Sequence, residues 1–240
     1  MALTEIIHPT RLKILELLGQ GPKFLANIAQ ELDLSKPEIS RHLARMRDLS
    51  LVEKRDKAHH LTSLGEVILN LTSPIEFLID NYDYFMNHKV ELPFSFIRDI
   101  DSLIHSELMS GTGYFMSKIE EIRKKTTNEV KTMVDQPFPG SSIQVDTVLL
   151  IVPSYAKSEN LNLELLKTNT EYFEIRTLPI INLTLGIVDG KHGFLLFPEK
   201  ITGKIDYNYA FYVTDEIGLE FLSRLWAYYW EKAKFRINSA

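Results

Sequence analysis

Arg41 and Arg45 stand four residues apart in SKPEISRHLARMRDLSLVEKRDKAHHLT, residues 35–62. On a helix that spacing makes them neighbours on one side. Paired guanidinium groups can bond guanine edges in bidentate fashion or hold phosphate oxygens. Ser35, Lys36, Glu38, Ser40 and His42 fall on or near the same face and add further donors and acceptors. Lys54, Arg55, Lys57, His59 and His60 follow in a second basic cluster. The chemistry on offer is recognition of a polyanion with readable edges, which is double-stranded DNA.

These side chains need elements to hold them. Ser35 caps a helix predicted over 35–49, and Glu38 completes a capping box. Ile39, Leu43, Met46 and Leu49 turn inward while the polar residues stay out. Residues 51–55 and 59–62 flank a polar turn at Asp56-Lys57-Ala58, which predicts a small basic hairpin. Upstream, a helix starts at His8-Pro9, since proline suits a first turn. Its stripe is Ile6, Leu12, Ile14, Leu15, Leu17 and Leu18, and Gly19 and Gly21-Pro22 stop it. A second helix over 24–32 turns Leu25, Ile28, Ala29 and Leu32 inward, and Asp33-Leu34 makes the turn. Two helices, a short turn, a recognition helix and a hairpin follow the plan of a winged helix-turn-helix. The plainer alternative is a solvated helix face followed by an ordinary hairpin.

The charge distribution agrees with the DNA reading. The net charge is −5 over 240 residues, which argues against nucleic acid if spread evenly. Residues 1–60 hold 10 Lys/Arg and 8 Asp/Glu, whereas 61–240 hold 17 and 24. Phosphate attraction supplies the sequence-independent part of DNA binding, so basic charge gathers where it is needed. The excess is small, so one copy binds weakly and a homodimer doubles it. The absence of cysteine excludes disulfides, thiolate metal sites and thiol redox sensing. No run of 18 apolar residues spans a membrane, and no secretory pattern opens the chain, so the expected location is cytoplasmic.

Ser63 and Glu66 form a second capping box, and Ser73-Pro74-Ile75-Glu76 restarts the helix. Ile75, Phe77, Leu78, Ile79, Tyr82, Tyr84, Phe85 and Met86 exceed what one small domain must cover. Residues 87–93 read as a linker. Beyond them, strands are predicted at 102–108, 128–134, 146–152, 172–177, 182–188, 193–197 and 207–213. Helices are predicted at 113–125, 161–167 and 215–235. The mixture implies an α/β domain. The expected layout is a DNA-binding domain over 1–65, linking or dimerising helices over 66–92, and an α/β ligand-sensing domain over 93–240.

PTRLKILELLGQGPKFLANIAQELDLSKPEISRHLARMRDLSLVEKR followed by HLTSLGE resembles the arsenical-repressor (ArsR) class of winged-helix regulators across about 65 residues. LPIINLTLGIVDGKHGFLLFPEKITGKIDYNYAFYVTDEIGLEFLSRLWAYYWEKAK is similar to the C-terminal half of the middle domain of archaeal methanogenesis regulators. The resemblance implies a dimeric archaeal transcription factor with an unassigned ligand domain. Thiolate metal sensors of the ArsR class carry cysteines before the recognition helix. Here that stretch is Glu31-Leu32-Asp33-Leu34-Ser35, so no metal is expected there. A phospholipase-D-like second domain would need a histidine with lysine two places on, and no histidine has one.

Other candidate sites are weaker. Ser110-Gly111-Thr112-Gly113 could cradle a phosphate at a helix start, but a helix cap explains it. Asp101 and His105 could share a metal on a helix, although an exposed acidic segment accounts for them. Asp189-Gly190 is a two-residue turn with an exposed His192 beside it. Leu219, Phe221, Leu222, Leu225, Trp226, Tyr228, Tyr229 and Trp230 crowd the last helix as core, interface or aromatic cage. Arg176 and Lys204 could neutralise an anionic effector. The expected function is DNA-binding transcriptional regulation modulated by an unidentified small-molecule effector or partner, with no cofactor and no catalysis. The alternatives are an enzyme with its site in the second domain, or a winged-helix adaptor that binds protein.

Overall fold

The computed structural model describes residues 8–136, 145–156 and 170–235. The helix expected at 161–167 lies outside them. Contacts divide the chain at Glu76 and Phe77 into two units.

In the first unit, α1 spans Pro9–Gly19, β1 Lys23–Phe24, α2 Leu25–Glu31 and α3 Lys36–Asp48. Strands β2 (Val52–Arg55) and β3 (Ala58–Leu61) form the hairpin, and β1 pairs with β3. The hairpin closes on two left-handed residues, Asp56 at φ 47° and Lys57 at φ 69°. That is a two-residue turn of the primed type, whose twist matches the strands. Ala58, expected in the turn, already belongs to β3. The core gathers Leu12, Ile14, Leu15 and Leu18 of α1, Ile28 of α2, and Ile39, Leu43 and Met46 of α3. These are the inward positions that the helical period demands.

Helix α4 spans Ser63–Asp80 and carries Pro74 in its interior without a break. The expected restart at Ser73 does not occur. Pro74 removes one backbone donor, and the Thr72 hydroxyl donates to the Leu69 carbonyl at 2.7 Å one turn earlier. The cap is Thr62, not Ser63: its hydroxyl accepts from the Gly65 amide at 3.0 Å.

In the second unit, α5 spans Tyr82–Asn87 and α6 Phe94–Ile97, and a 3₁₀ turn covers Ile100–Leu103. An eight-stranded mixed sheet follows. Its strands are β4 (Glu107–Ser110), β5 (Glu129–Met133), β6 (Thr147–Pro153), β7 (Tyr172–Leu178), β8 (Thr184–Val188), β9 (His192–Leu196), β10 (Tyr209–Val213) and β11 (Lys234–Phe235). The order is β11-β7-β6-β5-β8-β9-β10-β4. Strand β5 pairs with β6 and β6 with β7 in parallel, and the other described pairings of the sheet are antiparallel. Helices α7 (Thr112–Arg123) and α8 (Glu216–Lys232) complete the unit.

Phe221, Leu222, Leu225 and Trp226 of α8 join Leu185, Leu195 and Phe211 in the largest core. Phe115 and Ile122 of α7 pack with Phe194, Leu196 and Ala210 in a second one. Three expectations change. Residues 102–106 are not strand, because Ile100 and Leu103 bury themselves from a 3₁₀ turn. Residues 87–93 are not a free linker: His88 and Leu92 are buried, and Lys89 and Lys200 donate backbone bonds to Pro198 and Asn87. The last helix ends at Lys232, since Lys234 and Phe235 pair with Thr177 and Arg176 at the sheet edge.

Candidate nucleic-acid interface

The ends of α3 fix its place. Asp33, at φ 53°, closes α2 in the left-handed region. The Leu34 amide reaches back to the Ala29 carbonyl (3.0 Å) and the Asp33 amide to Gln30 (3.3 Å). Ser50, at φ 59°, closes α3 in the same way. The Leu51 amide bonds the Met46 carbonyl and the Ser50 amide bonds Arg47, both at 2.9 Å. Both pairs are Schellman closures, here made with residues other than glycine. At the start of α3, the Ser35 hydroxyl accepts from the Glu38 amide at 3.3 Å.

Thr62 ties this helix to the next. Its hydroxyl donates to the Ser50 carbonyl at 2.6 Å and its amide to the Leu51 carbonyl at 3.1 Å. Gly65 closes the same knot, because a Cβ there would sit 2.1 Å from the Leu51 carbonyl oxygen. The helix ends, the hairpin and α4 thus share one set of backbone bonds. Sequence reasoning missed this role of Ser50, Thr62 and Gly65. The Leu-Thr-Ser-Leu-Gly run after the hairpin was the signal available.

The structure sets Ser35, Lys36, Ser40, Arg41 and Arg45 on the exposed side of α3, opposite Ile39, Leu43 and Met46. Glu38 and His42 are half-buried, and the His42 ring lies 4.8 Å from that of His8. Burial first, then His8 and Arg11, lowers the His42 imidazole below its ordinary value. Lys54, Arg55 and Lys57 are exposed around the hairpin tip. Among the described residues Lys36, Arg41, Lys54 and Lys57 have no carboxylate partner, whereas Arg55 is paired with Glu53 on the same strand face.

His59 does not join that surface. It faces inward opposite Lys54 and is 4% exposed. The register puts it on one face with Val52, Leu61 and Lys54, where it is covered while Lys54 reaches solvent. Burial, then Lys54, Arg47 and His60, lowers its imidazole.

The other candidates are used structurally. Gly111, at φ 103°, precedes α7, its amide bonds the Asn208 carbonyl, and Thr112 donates to the Asn208 side chain at 2.5 Å. Asp99 pairs with Arg224 at 3.0 Å. Among the described residues no group of three His, Asp or Glu side chains is placed to hold a metal. Arg176 pairs with Glu174 at 2.7 Å and stacks 4.1 Å from the Trp230 ring centre, so it is committed. His192 is half-buried, its Nδ1 2.8 Å from the Tyr212 hydroxyl. No described helix is long and apolar enough to cross a membrane.

Residues 8–54 match the family described as bacterial regulatory protein, arsR family. An uncharacterized HTH-type transcriptional regulator of Methanocaldococcus jannaschii is 44% identical over 46 residues, 19% of this chain and 48% of that protein. The chain thus spans about half the length of the curated relative it matches. The structure of TrmBL2, an archaeal chromatin protein, is similar at 13% identity over 92% of this chain and 91% of that one, with a TM-score of 0.41. NucT from Helicobacter pylori is similar at 12% identity over 55% of this chain and 98% of that one, with a TM-score of 0.43. The N-terminal segment is a helix-turn-helix of the arsR type, followed by a mixed-sheet unit.

Proposed function

We propose that the chain is a cytoplasmic transcriptional regulator that binds double-stranded DNA as a homodimer. Helix α3 enters the major groove with Ser35, Lys36, Glu38, Ser40, Arg41, His42 and Arg45 at the base edges and flanking phosphates. Lys54, Arg55 and Lys57 follow the backbone from the hairpin. The observation that carries this reading is α3 itself. It is capped, buried along one side and basic along the other, with three unpaired lysines and Arg41 around it.

Homodimerisation is supported by α4. Leu64, Val67, Leu71 and Ile75 are 40–54% exposed and recur at intervals of three and four, so they share one side. A second copy of the helix would cover that stripe. The mixed-sheet unit is read as the sensor, a non-catalytic domain whose effector or partner alters DNA affinity.

The test is fluorescence anisotropy of the full chain on a duplex from its own upstream region. Affinity should fall steeply as salt rises, since each released counterion contributes to the slope. If Arg41→Ala with Arg45→Ala leaves affinity unchanged, α3 is not the reader. Turnover of any substrate by the full chain would favour the enzyme reading instead.

A further inference from the structure

We propose that DNA binding by this chain takes up a proton at His42, on the seam where His8 meets the recognition helix. The inference rests on the DNA-reading function above and adds a coupling between pH and affinity.

The seam joins two elements by their rings. His8 caps α1: its Nδ1 accepts from the Thr10 amide at 3.2 Å. A nitrogen that accepts carries no proton, so His8 holds its proton on Nε2. Adding a second proton at Nδ1 would break the cap. His42 has no such tie. Among the described residues neither of its ring nitrogens has a hydrogen-bond partner. It gains a proton without losing a bond.

The charges around it set the sign. From α1 the buried Arg11 faces His42, beside the ring of His8 that caps the helix. From α3, Arg41 adds positive charge and Glu38 opposes it. Without DNA, burial and the charges of Arg11 and Arg41 lower the imidazole and so favour its neutral form. Phosphates drawn to Arg41 bring negative charge to the adjacent residue. The neutral state then loses its advantage, and the ring takes a proton from solvent. Linkage requires that a site charged only in the complex strengthen binding as pH falls. This runs opposite to the folding effect of the same group, which weakens the head as pH falls.

The experiment is calorimetry of the full chain with a duplex of about 30 base pairs near pH 6.5, in two buffers of different ionisation enthalpy. The expected result is uptake of roughly half to one proton per chain. Affinity should rise about three- to tenfold per pH unit of acidification. His42→Gln should bind more weakly, and the complex it forms should take up no proton; His42→Asn should repeat that result. Binding without proton uptake overturns the inference and leaves DNA reading intact. Uptake that persists in His42→Gln also overturns it, by placing the proton elsewhere. Failure to bind any duplex removes the DNA reading and the inference together. If neither variant folds, the His42 ring signal of the unaltered chain is titrated with and without duplex. An unchanged midpoint then overturns the inference.

Discussion

Lys54 and His59 stand directly opposite each other across the β2–β3 hairpin, one exposed and the other buried. The pair shows how the hairpin is built. Cross-strand partners share a face, so the lysine carries its charge out to solvent from the same side on which His59 is buried.

The buried partner gives the first prediction. His59 is held below its ordinary value by burial, then by Lys54, Arg47 and His60. Its unfolded value is about 6.5. The stability this group contributes is therefore fully present above about pH 6.5 and is lost as pH falls through the lower folded value. Melting of the head, followed by circular dichroism from pH 7.5 to 5, should fall more steeply for the native chain than for His59→Leu. Equal slopes would contradict the assignment.

The exposed partner gives the second. Lys54 is read as a phosphate contact, so Lys54→Ala should flatten the plot of log affinity against log salt by about 0.9 per chain. The loss should be similar on every duplex sequence. A loss confined to one sequence would mean that Lys54 reads bases instead.

Gly65 gives the third. A Cβ there would strike the Leu51 carbonyl, which lies in the backbone and cannot swing away. Gly65→Ala should cost about 1–3 kcal/mol of head stability in urea titration, the usual range for an overpacked site. DNA affinity should fall with it, because the same carbonyl accepts from Thr62 at the end of α3. An unchanged midpoint would show that the knot yields.

Asp189 gives the fourth. Its carboxylate accepts from the amides of Thr127, Asn128 and Glu129 at 3.2, 3.0 and 2.9 Å. Burial works against the charged form, yet these donors hold the carboxyl below its usual range. A depressed folded value means stability that is present above the unfolded value and lost as pH falls through the folded one. Asp189→Ala should lower stability by about 1–3 kcal/mol at neutral pH, as expected when charged hydrogen bonds are removed. The deficit should shrink in strong acid. A deficit that persists there would trace the loss to the turn geometry alone.

The head was legible because its signals are local. Ser35, the apolar positions of α3 and the Asp56-Lys57 turn each declare themselves within a few residues. His59 was misplaced because it shares a face with Lys54, and alternation does not say that one of them is covered while the other reaches solvent. Pro74 misled because proline marks helix starts more often than interiors, and packing overrode the preference. Thr62 and Gly65 stand in a local motif, but the bonds of Thr62 to Ser50 and Leu51 and the close approach of Gly65 to Leu51 cross a dozen residues. In the second unit the strands near Val148, Ile175, Ile187 and Phe211 appeared as apolar runs. Their order did not, since pairing between β4 and β10 joins segments about a hundred residues apart in sequence. The aromatic run in α8 was correctly crowded, but only the fold divides it into core residues and the Trp230 ring that holds Arg176.

That pairing of β4 with β10 also sets a timetable for synthesis. Every described strand of the head finds its partner within about forty residues, so the helix-turn-helix unit can close soon after leaving the ribosome. Strand β4 must wait for β10, and β7 for the residues at 234 and 235. During translation the head closes while the sheet that follows in the chain still has both of its edges unpaired.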